Sequence, residues 1–294
     1  MMTSPIDSPF LNTEVHFLDS DAVGAQFKVL IGKSGMKEGV PPVVLFLTDA
    51  DLAFGGTMNT LWGLQFAGWL PPMLVVGIGY PINDESESFP LRSRDLTPSV
   101  DDYVAQQSGW PSGGADRFHR FITEELKPWL GTNFDVDPDD NVYFGDSYGG
   151  LFGAHVLFSE PATFKRYGLG SSSFWYNHGA IFESEARYAL SNRDLTAKVF
   201  CSVGAYEGPE GDQLLLAWLP QDKRAEAEEA AARELADYGE TDMVADQHRF
   251  VTALRSRNYP SLLIDSEILP GEFHMTAAPL NFSRAMRYLF DAPR

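Results

Sequence analysis

The sequence predicts an α/β fold, a mostly parallel central sheet of about eight strands with helices on both faces. Three observations predict it. Continuous apolar runs such as Pro41–Leu47, Pro71–Ile78 and Lys198–Val203 have the pattern of strands buried on both faces. Helical patterns stand between these runs, the alternation that builds a parallel sheet. No Pro/Gly/Ser linker, repeat or low-complexity tract divides the 294 residues, so residues 1–294 are expected to form one domain.

Taken in order, Thr13–Leu18 and Gln26–Ile31 alternate around Asp19–Gly24, the pattern of an antiparallel hairpin at a sheet edge. The Pro41–Leu47 strand leads into Thr48–Gly56, a loop at the strand end where open α/β sheets bind ligands. An amphipathic segment at Leu61–Phe66 precedes the Pro71–Ile78 strand. Residues Asn83–Gly114 are polar and turn-rich, and a loop that long is functional or pinned by specific contacts. Within it, Arg92, Arg94 and Asp95 have the chemistry to bind a substrate anion, although internal ion pairs are the favoured reading. Ala115–Leu126 carries Ala115, Phe118, Phe121, Ile122 and Leu126 on one face of a helix, with Pro128 expected to help end it.

Asn141–Leu151 is the centre of the chain. An apolar strand ends in Gly145-Asp-Ser-Tyr-Gly149 and a helix follows to about Ser159. Such a turn places its serine in a strained conformation, with small residues two before and two after it so that strand and helix can pass closely. A G-x-S-x-G match arises by chance in roughly one such glycine-rich chain in six, so the flanking strand and helix carry the assignment. Ser147 is the candidate nucleophile. The N–H of Tyr148, at the helix start, points where an oxyanion would form.

Beyond the elbow, Tyr167–Tyr176 reads as a strand and an aromatic loop, and Lys198–Val203 as a buried strand followed by Gly204-Ala-Tyr-Glu207. Asp222–Asp246 is acidic on an Ala-rich helical background, either a solvated surface helix or part of a cap; a helical cap insertion is expected at about 208–247. Met243–Leu254 is an amphipathic helix, Leu262–Leu269 the last strand, and Ala277–Phe290 the final helix.

A serine hydroxyl needs a base, and the base an acid, in the chain order Ser, acid, His on this arrangement. Of the six histidines, His16 lies in the edge strand, His119 and His248 on helices, and His155 behind the elbow. His178, past Trp175, is a pocket-lining candidate, and His274 alone follows the last strand at a turn, which makes it the candidate base. Glu207 stands at the expected position of the acid, with Glu210, Asp212 and Asp265 as rivals. The second oxyanion donor is placed by position at the backbone N–H of Asp51. Phe54, Trp175 and Tyr148 are the candidate pocket walls.

Lys and Arg number 22 against 41 Asp and Glu, a formal net charge of −19. That surface argues against nucleic acid and anionic lipid as partners and favours neutral or cationic small molecules. The lone Cys201 lies in an apolar run and reads as core packing. Met1–Glu14 has no basic segment followed by an apolar one, and no run is long enough to span a bilayer, so a cytoplasmic setting is expected. No metal-ligand spacing and no dinucleotide fingerprint occurs, so no cofactor is expected.

Asp49-Ala-Asp51, Val75–Pro81, Arg94-Asp-Leu-Thr-Pro98, Gly113–Phe118, Glu125–Pro128, Gly145–Gly150, Ser171–Trp175 and Gly271–His274 resemble, in order, the blocks of the esterase D and enterochelin-esterase-like branch of the α/β-hydrolases. The resemblance spans about residues 40 to 290. It implies Ser147 as nucleophile, His274 as base, Glu207 as acid, and backbone donors at Tyr148 and Asp51. Two departures stand out: Ala50 where the family usually has Gly, and Asp146 where it often has His. The 222–246 segment is also longer than the usual family connection. The expected function is a cofactor-free serine hydrolase cleaving carboxylic esters through an acyl-serine. The alternatives are a siderophore trilactone esterase, an acyltransferase on the same triad, and a non-catalytic binding protein that kept the scaffold.

Overall fold

Strands whose residues are apolar on both faces need cover on both faces, and the sheet supplies it. The chain, seen here in a computed structural model, is described for residues 6–7, 12–237, 239 and 241–293. Most of the Met1–Glu14 stretch read for an export signal lies outside these residues. The strands are β1 (Ile6–Asp7), β2 (Thr13–Ser20), β3 (Ala25–Ser34), β4 (Val43–Leu47), β5 (Met73–Gly79), β6 (Asn141–Asp146), β7 (Arg166–Gly170), β8 (Ala197–Gly204) and β9 (Leu262–Leu269). They form one sheet in the order β1-β2-β3-β5-β4-β6-β7-β8-β9. Pairing is antiparallel from β1 to β5 and parallel from β5 through β9. Eight of the nine match the expected strands; the ninth is the two-residue β1, too short for any periodicity to reveal.

Alternate residues of β4 and β5 enter two cores, one on each face. Val44, Phe46, Leu74 and Val76 face one side, with Phe118, Phe121 and Phe152. Val43, Leu45, Leu47 and Val75 face the other, with Leu61, Leu64, Phe282 and Met286. The helices are α1 (Ala50–Phe66), α2 (Ser88–Leu96), α3 (Asp102–Ser108), α4 (Ala115–Arg120), α5 (Lys127–Asn133), α6 (Tyr148–Ser159), α7 (Tyr176–Ser191), α8 (Pro209–Trp218), α9 (Gln221–Asp237), α10 (Met243–Ser256) and α11 (His274–Leu289). Helix α1 packs with α11 beneath one face, and α6 covers the other.

Three local expectations need correction. Most of Thr48–Gly56 is helix, because α1 starts at Ala50 and runs through Gly55 and Gly56. Burial of Ala50, Phe54, Thr57 and Leu61 on one helix face outweighs the poor propensity of two glycines. The long 83–114 segment, read as a loop, contains the helices α2 and α3. Pro128 does not end its helix: a π-helical turn, Phe121–Leu126, precedes it, and the wider winding accommodates a ring that lacks an N–H.

Between β8 and β9 the expected insertion at about 208–247 holds α8, α9 and the start of α10, with α9 packed against α8 and carrying no buried side chain among its described residues. Among the described residues no helix is long and apolar enough to cross a membrane.

Candidate active site

The site grows from the turn at Ser147, which has φ 59° and ψ −121° between β6 and α6. A serine at positive φ costs on the order of 1–3 kcal/mol, so its surroundings must hold it there. The Ser147 N–H donates to the Gly170 carbonyl at 3.0 Å, and the Ser147 carbonyl accepts from the N–H groups of Leu151 and Ser173. Tyr143 Oη donates to the Gly149 carbonyl at 2.6 Å, tying the helix start to the strand. A Cβ on Gly145 would stand 2.5 Å from Tyr143 Oη, and one on Gly149 would meet Thr48 Oγ1. Both glycines are therefore required by close approach, as the elbow pattern predicts.

Glu207 follows β8 and His274 opens α11 after β9. His274 Nδ1 lies 2.6 Å from Glu207 Oε2. The other carboxylate oxygen, Oε1, accepts from Ser171 Oγ at 2.6 Å and from the Gly204 N–H at 2.6 Å. The Glu207 side chain is 1% exposed and that of His274 39%. A carboxylate at Nδ1 assigns the imidazole proton to that nitrogen and leaves Nε2 as the free base. None of the rival acids makes this contact: Glu210 and Asp212 lie in the first turn of α8, and Asp265 on β9 pairs with Arg255 at 3.0 Å. The Ser147 hydroxyl lies 3.3 Å from Ser173 Oγ.

The remaining histidines sort themselves by their partners. His16 meets Glu14 at 3.1 Å, His119 meets Thr163 Oγ1 at 2.8 Å and His155 meets Asp116 at 2.8 Å. His248 is exposed on α10. His178 is exposed in the left-handed run Asn177-His178-Gly179 of α7. Phe54, expected to wall the pocket, is 4% exposed and packs against Gly77 and Gly32 in the core, so the structure corrects that placement.

Arg92 makes the internal pair that was the favoured reading. Its Nε and Nη2 donate to the two oxygens of Asp49 at 2.8 and 2.9 Å, and its guanidinium lies 5.1 Å from the Tyr148 ring centroid. Asp49 holds the guanidinium protonated against the burial that would favour its neutral form. Arg94 is likewise bidentate to Asp95, at 2.7 Å for each contact. Asp49 itself is left-handed, at φ 54°, as the residue before α1. Asp51 sits in the first turn of α1, whose leading N–H groups have no intrahelical acceptor. Its carboxylate accepts from the Tyr80 N–H at 2.7 Å and pairs with Lys28. Trp175 stands 6.3 Å and Tyr176 5.5 Å, ring to ring, from Tyr148.

Several site residues were not singled out in the sequence. Ser171 and Asn281 stand behind Glu207: Asn281 Nδ2 donates to Asp146 Oδ1 at 2.8 Å and to Ser171 Oγ at 2.9 Å. Burial pushes the Asp146 carboxyl up to about 7, opposed by the Asn281 hydrogen bond and the nearby His274. The spacing of Asn281 seven residues after His274, two turns along one helix face, was the available signal. Tyr206, Phe273 and Trp218 form an aromatic row, with centroids 5.0 and 5.4 Å apart about Phe273. Tyr206 and Phe273 adjoin Glu207 and His274 in sequence, whereas Trp218 arrives from α8 and is 70% exposed.

An elbow serine after a central parallel strand, with an acid and a histidine at later strand ends, is the arrangement of an α/β-hydrolase. The chain belongs to the Esterase family, described as "Putative esterase", whose model matches residues 24–257. It is 41% identical over 130 residues to a siderophore enterobactin esterase of Emericella nidulans, covering 42% of each chain. It is 34% identical over 185 residues to the ferri-bacillibactin esterase BesA of Bacillus subtilis, covering 58% of this chain and 62% of that one. The matches thus span less than two thirds of these relatives. A siderophore triacetylfusarinine C esterase of Aspergillus fumigatus is 26% identical over 300 residues, 98% of this chain and 96% of its own. Among solved structures, the BES protein from Bacillus cereus superimposes with a TM-score of 0.74 at 25% identity, covering 98% of this chain and 99% of that chain. The siderophore hydrolase EstA from Aspergillus nidulans shares the fold, with a TM-score of 0.79 at 22% identity over 97% of this chain and 98% of its own.

Proposed function

We propose that this protein is a serine hydrolase that cleaves carboxylic esters through an acyl intermediate on Ser147. The observation that carries the reading is the 2.6 Å contact of His274 Nδ1 with the buried Glu207, at the strand ends beside a strained serine. His274 Nε2 takes the Ser147 proton as Oγ attacks the ester carbonyl. The developing oxyanion is received by the N–H groups of Tyr148 and Asp51 at two helix N-termini. The imidazolium, held by Glu207, then protonates the leaving alcohol as the carbon–oxygen bond breaks. Water, deprotonated by the same imidazole, releases the acid and restores Ser147. The segment at 208–247 acts as a cap, whose α8 brings Trp218 to the rim of the site. No cofactor takes part in this scheme, and a cytoplasmic setting belongs to the same proposal.

Within that chemistry, the names of the relatives favour the ester bonds of a siderophore as the substrate. With a net charge of −19, and with Arg92 and Arg94 each held by a carboxylate, an uncharged complex suits the site better than a polyanionic one.

The test is hydrolysis of a p-nitrophenyl ester panel, a neutral tris-hydroxamate triester and an anionic tricatecholate trilactone, by wild type and Ser147→Ala. Turnover lost in the variant supports the hydrolase, and preference for the neutral triester supports the substrate reading. A folded wild type inert toward every ester would leave transfer chemistry or a binding role.

A further inference from the structure

The acid of the site is itself held by a chain of hydrogen bonds that returns to the residue before the nucleophile. Asp146 Oδ1 accepts from Asn281 Nδ2 at 2.8 Å. The same amide nitrogen donates to Ser171 Oγ at 2.9 Å, and Ser171 Oγ donates to Glu207 Oε1 at 2.6 Å. Asn281 and Ser171 are buried. The chain is tightly built: a Cβ on Gly170 would collide with Asp146 Oδ1 and come within 2.9 Å of Asn281 Cβ. Ser171 adopts a left-handed backbone, φ 36°, to place its hydroxyl there. Three strands and α11 are thereby joined: β6 through Asp146, β7 through Ser171, β8 through Glu207.

We infer that Asp146, Asn281 and Ser171 are positioning residues that fix the Glu207 carboxylate, and through it the His274 imidazole, relative to the nucleophile turn. This rests on the hydrolase reading above and deepens it. Glu207 Oε1 is held on two sides, by Ser171 Oγ and the Gly204 N–H, and Oε2 takes the imidazole. Loss of Ser171 Oγ frees the carboxylate to rotate, which misaligns Nε2 without touching the substrate. The charged groups acting on Asp146 are His274 and Glu207 from the site and Asp49 from the loop before α1. Of these, His274 favours ionised Asp146, and the two carboxylates oppose it.

The experiment uses the full chain and p-nitrophenyl butyrate, with Ser171→Ala, Ser171→Gly, Asp146→Asn and Asp146→Ala. Ser171→Gly removes the hydroxyl while relieving the left-handed backbone, so folding is safeguarded. Both Ser171 variants should lose kcat on the order of tenfold, the scale of one hydrogen bond to a charged group, with KM unchanged. Asp146→Asn, which keeps an oxygen acceptor for Asn281, should recover most of the kcat lost in Asp146→Ala. Folded Ser171→Gly with wild-type kcat, or a folded Asp146→Asn no more active than Asp146→Ala, overturns the inference even when Ser147→Ala is inactive. A wild type inactive on every ester removes the hydrolase reading and the inference with it.

Discussion

Replacing Glu207 by Gln should cost far more than one contact. The carboxylate accepts at both ends, from Ser171 Oγ and the Gly204 N–H at Oε1 and from His274 Nδ1 at Oε2. An amide accepts at one end and donates at the other. If its oxygen faces Gly204 and Ser171, its NH2 faces His274 and drives the imidazole proton to Nε2, where the ring cannot accept the Ser147 proton. If its oxygen faces His274, two donors meet the NH2 in a region that is 1% exposed, at roughly 1–3 kcal/mol for each unsatisfied group. In both orientations the negative charge that stabilises the imidazolium is gone. The expected loss in kcat is roughly 10³–10⁴-fold, or about 4–5 kcal/mol of transition-state stabilisation, with KM nearly unchanged. Steady-state hydrolysis of p-nitrophenyl butyrate measures it, with a thermal melt to establish folding. A folded variant that keeps more than about a tenth of wild-type kcat refutes the argument that Glu207 sets the tautomer.

The carboxyl of Asp146 titrates at about 7 against 3.8 for an unperturbed Asp, so its contribution to stability is full below pH 4 and is lost as pH rises through 7. Asp146→Asn should flatten that slope, by at most on the order of 4 kcal/mol, in melts run from pH 4 to 8; a slope identical to wild type would place the titration elsewhere. Arg92→Ala should lower kcat by roughly tenfold or more by freeing Asp49 and the start of α1, and Arg92→Lys should not restore it, because an ammonium cannot make the bidentate contact. Trp218→Ala should raise KM up to roughly tenfold for esters with aromatic acyl groups and leave acetate unaffected, the scale of one lost aromatic contact. Gly149→Ala should lower the melting temperature by several degrees, as a Cβ against Thr48 Oγ1 costs about 1–3 kcal/mol.

Features that depend on short stretches of chain were legible in the sequence. The elbow is local, since Gly145 and Gly149 declare the close approach of strand and helix, and chain order then points to Glu207 and His274. The buried strands were legible because their apolar runs have no other stable home. What escaped was decided by packing between distant segments. Helix α1 begins at Ala50 because Phe54 and Leu61 find a core against β3 and β5, a choice invisible beside Gly55-Gly56. The same packing removes Phe54 from the site. Asn281 looked like one polar residue on a terminal helix until its two partners, 135 and 110 residues away, met it. Trp218 meets Phe273 only where α8 comes to the turn before α11, another contact between distant segments.

Charge gives the site a direction that the fold alone does not. The residue before the nucleophile turn's serine is a carboxyl, Asp146, whose burial keeps it largely protonated below neutral pH. The arginine opposite the elbow does not offset it for a substrate, because Arg92 already holds Asp49 with both arms of its fork. Screening at physiological ionic strength weakens the −19 surface beyond roughly 8 Å, but not the carboxylates within the site itself. A polyanionic ligand bound through Arg92 would have to displace Asp49, stranding a partly buried carboxylate and loosening the start of α1, where the proposed oxyanion donor Asp51 stands. A neutral ester meets no such cost, and the aromatic row of Tyr206, Phe273 and Trp218 offers it apolar contact beside the base. On the proposed mechanism, the pairing of Arg92 with Asp49 therefore disfavours a polyanionic substrate.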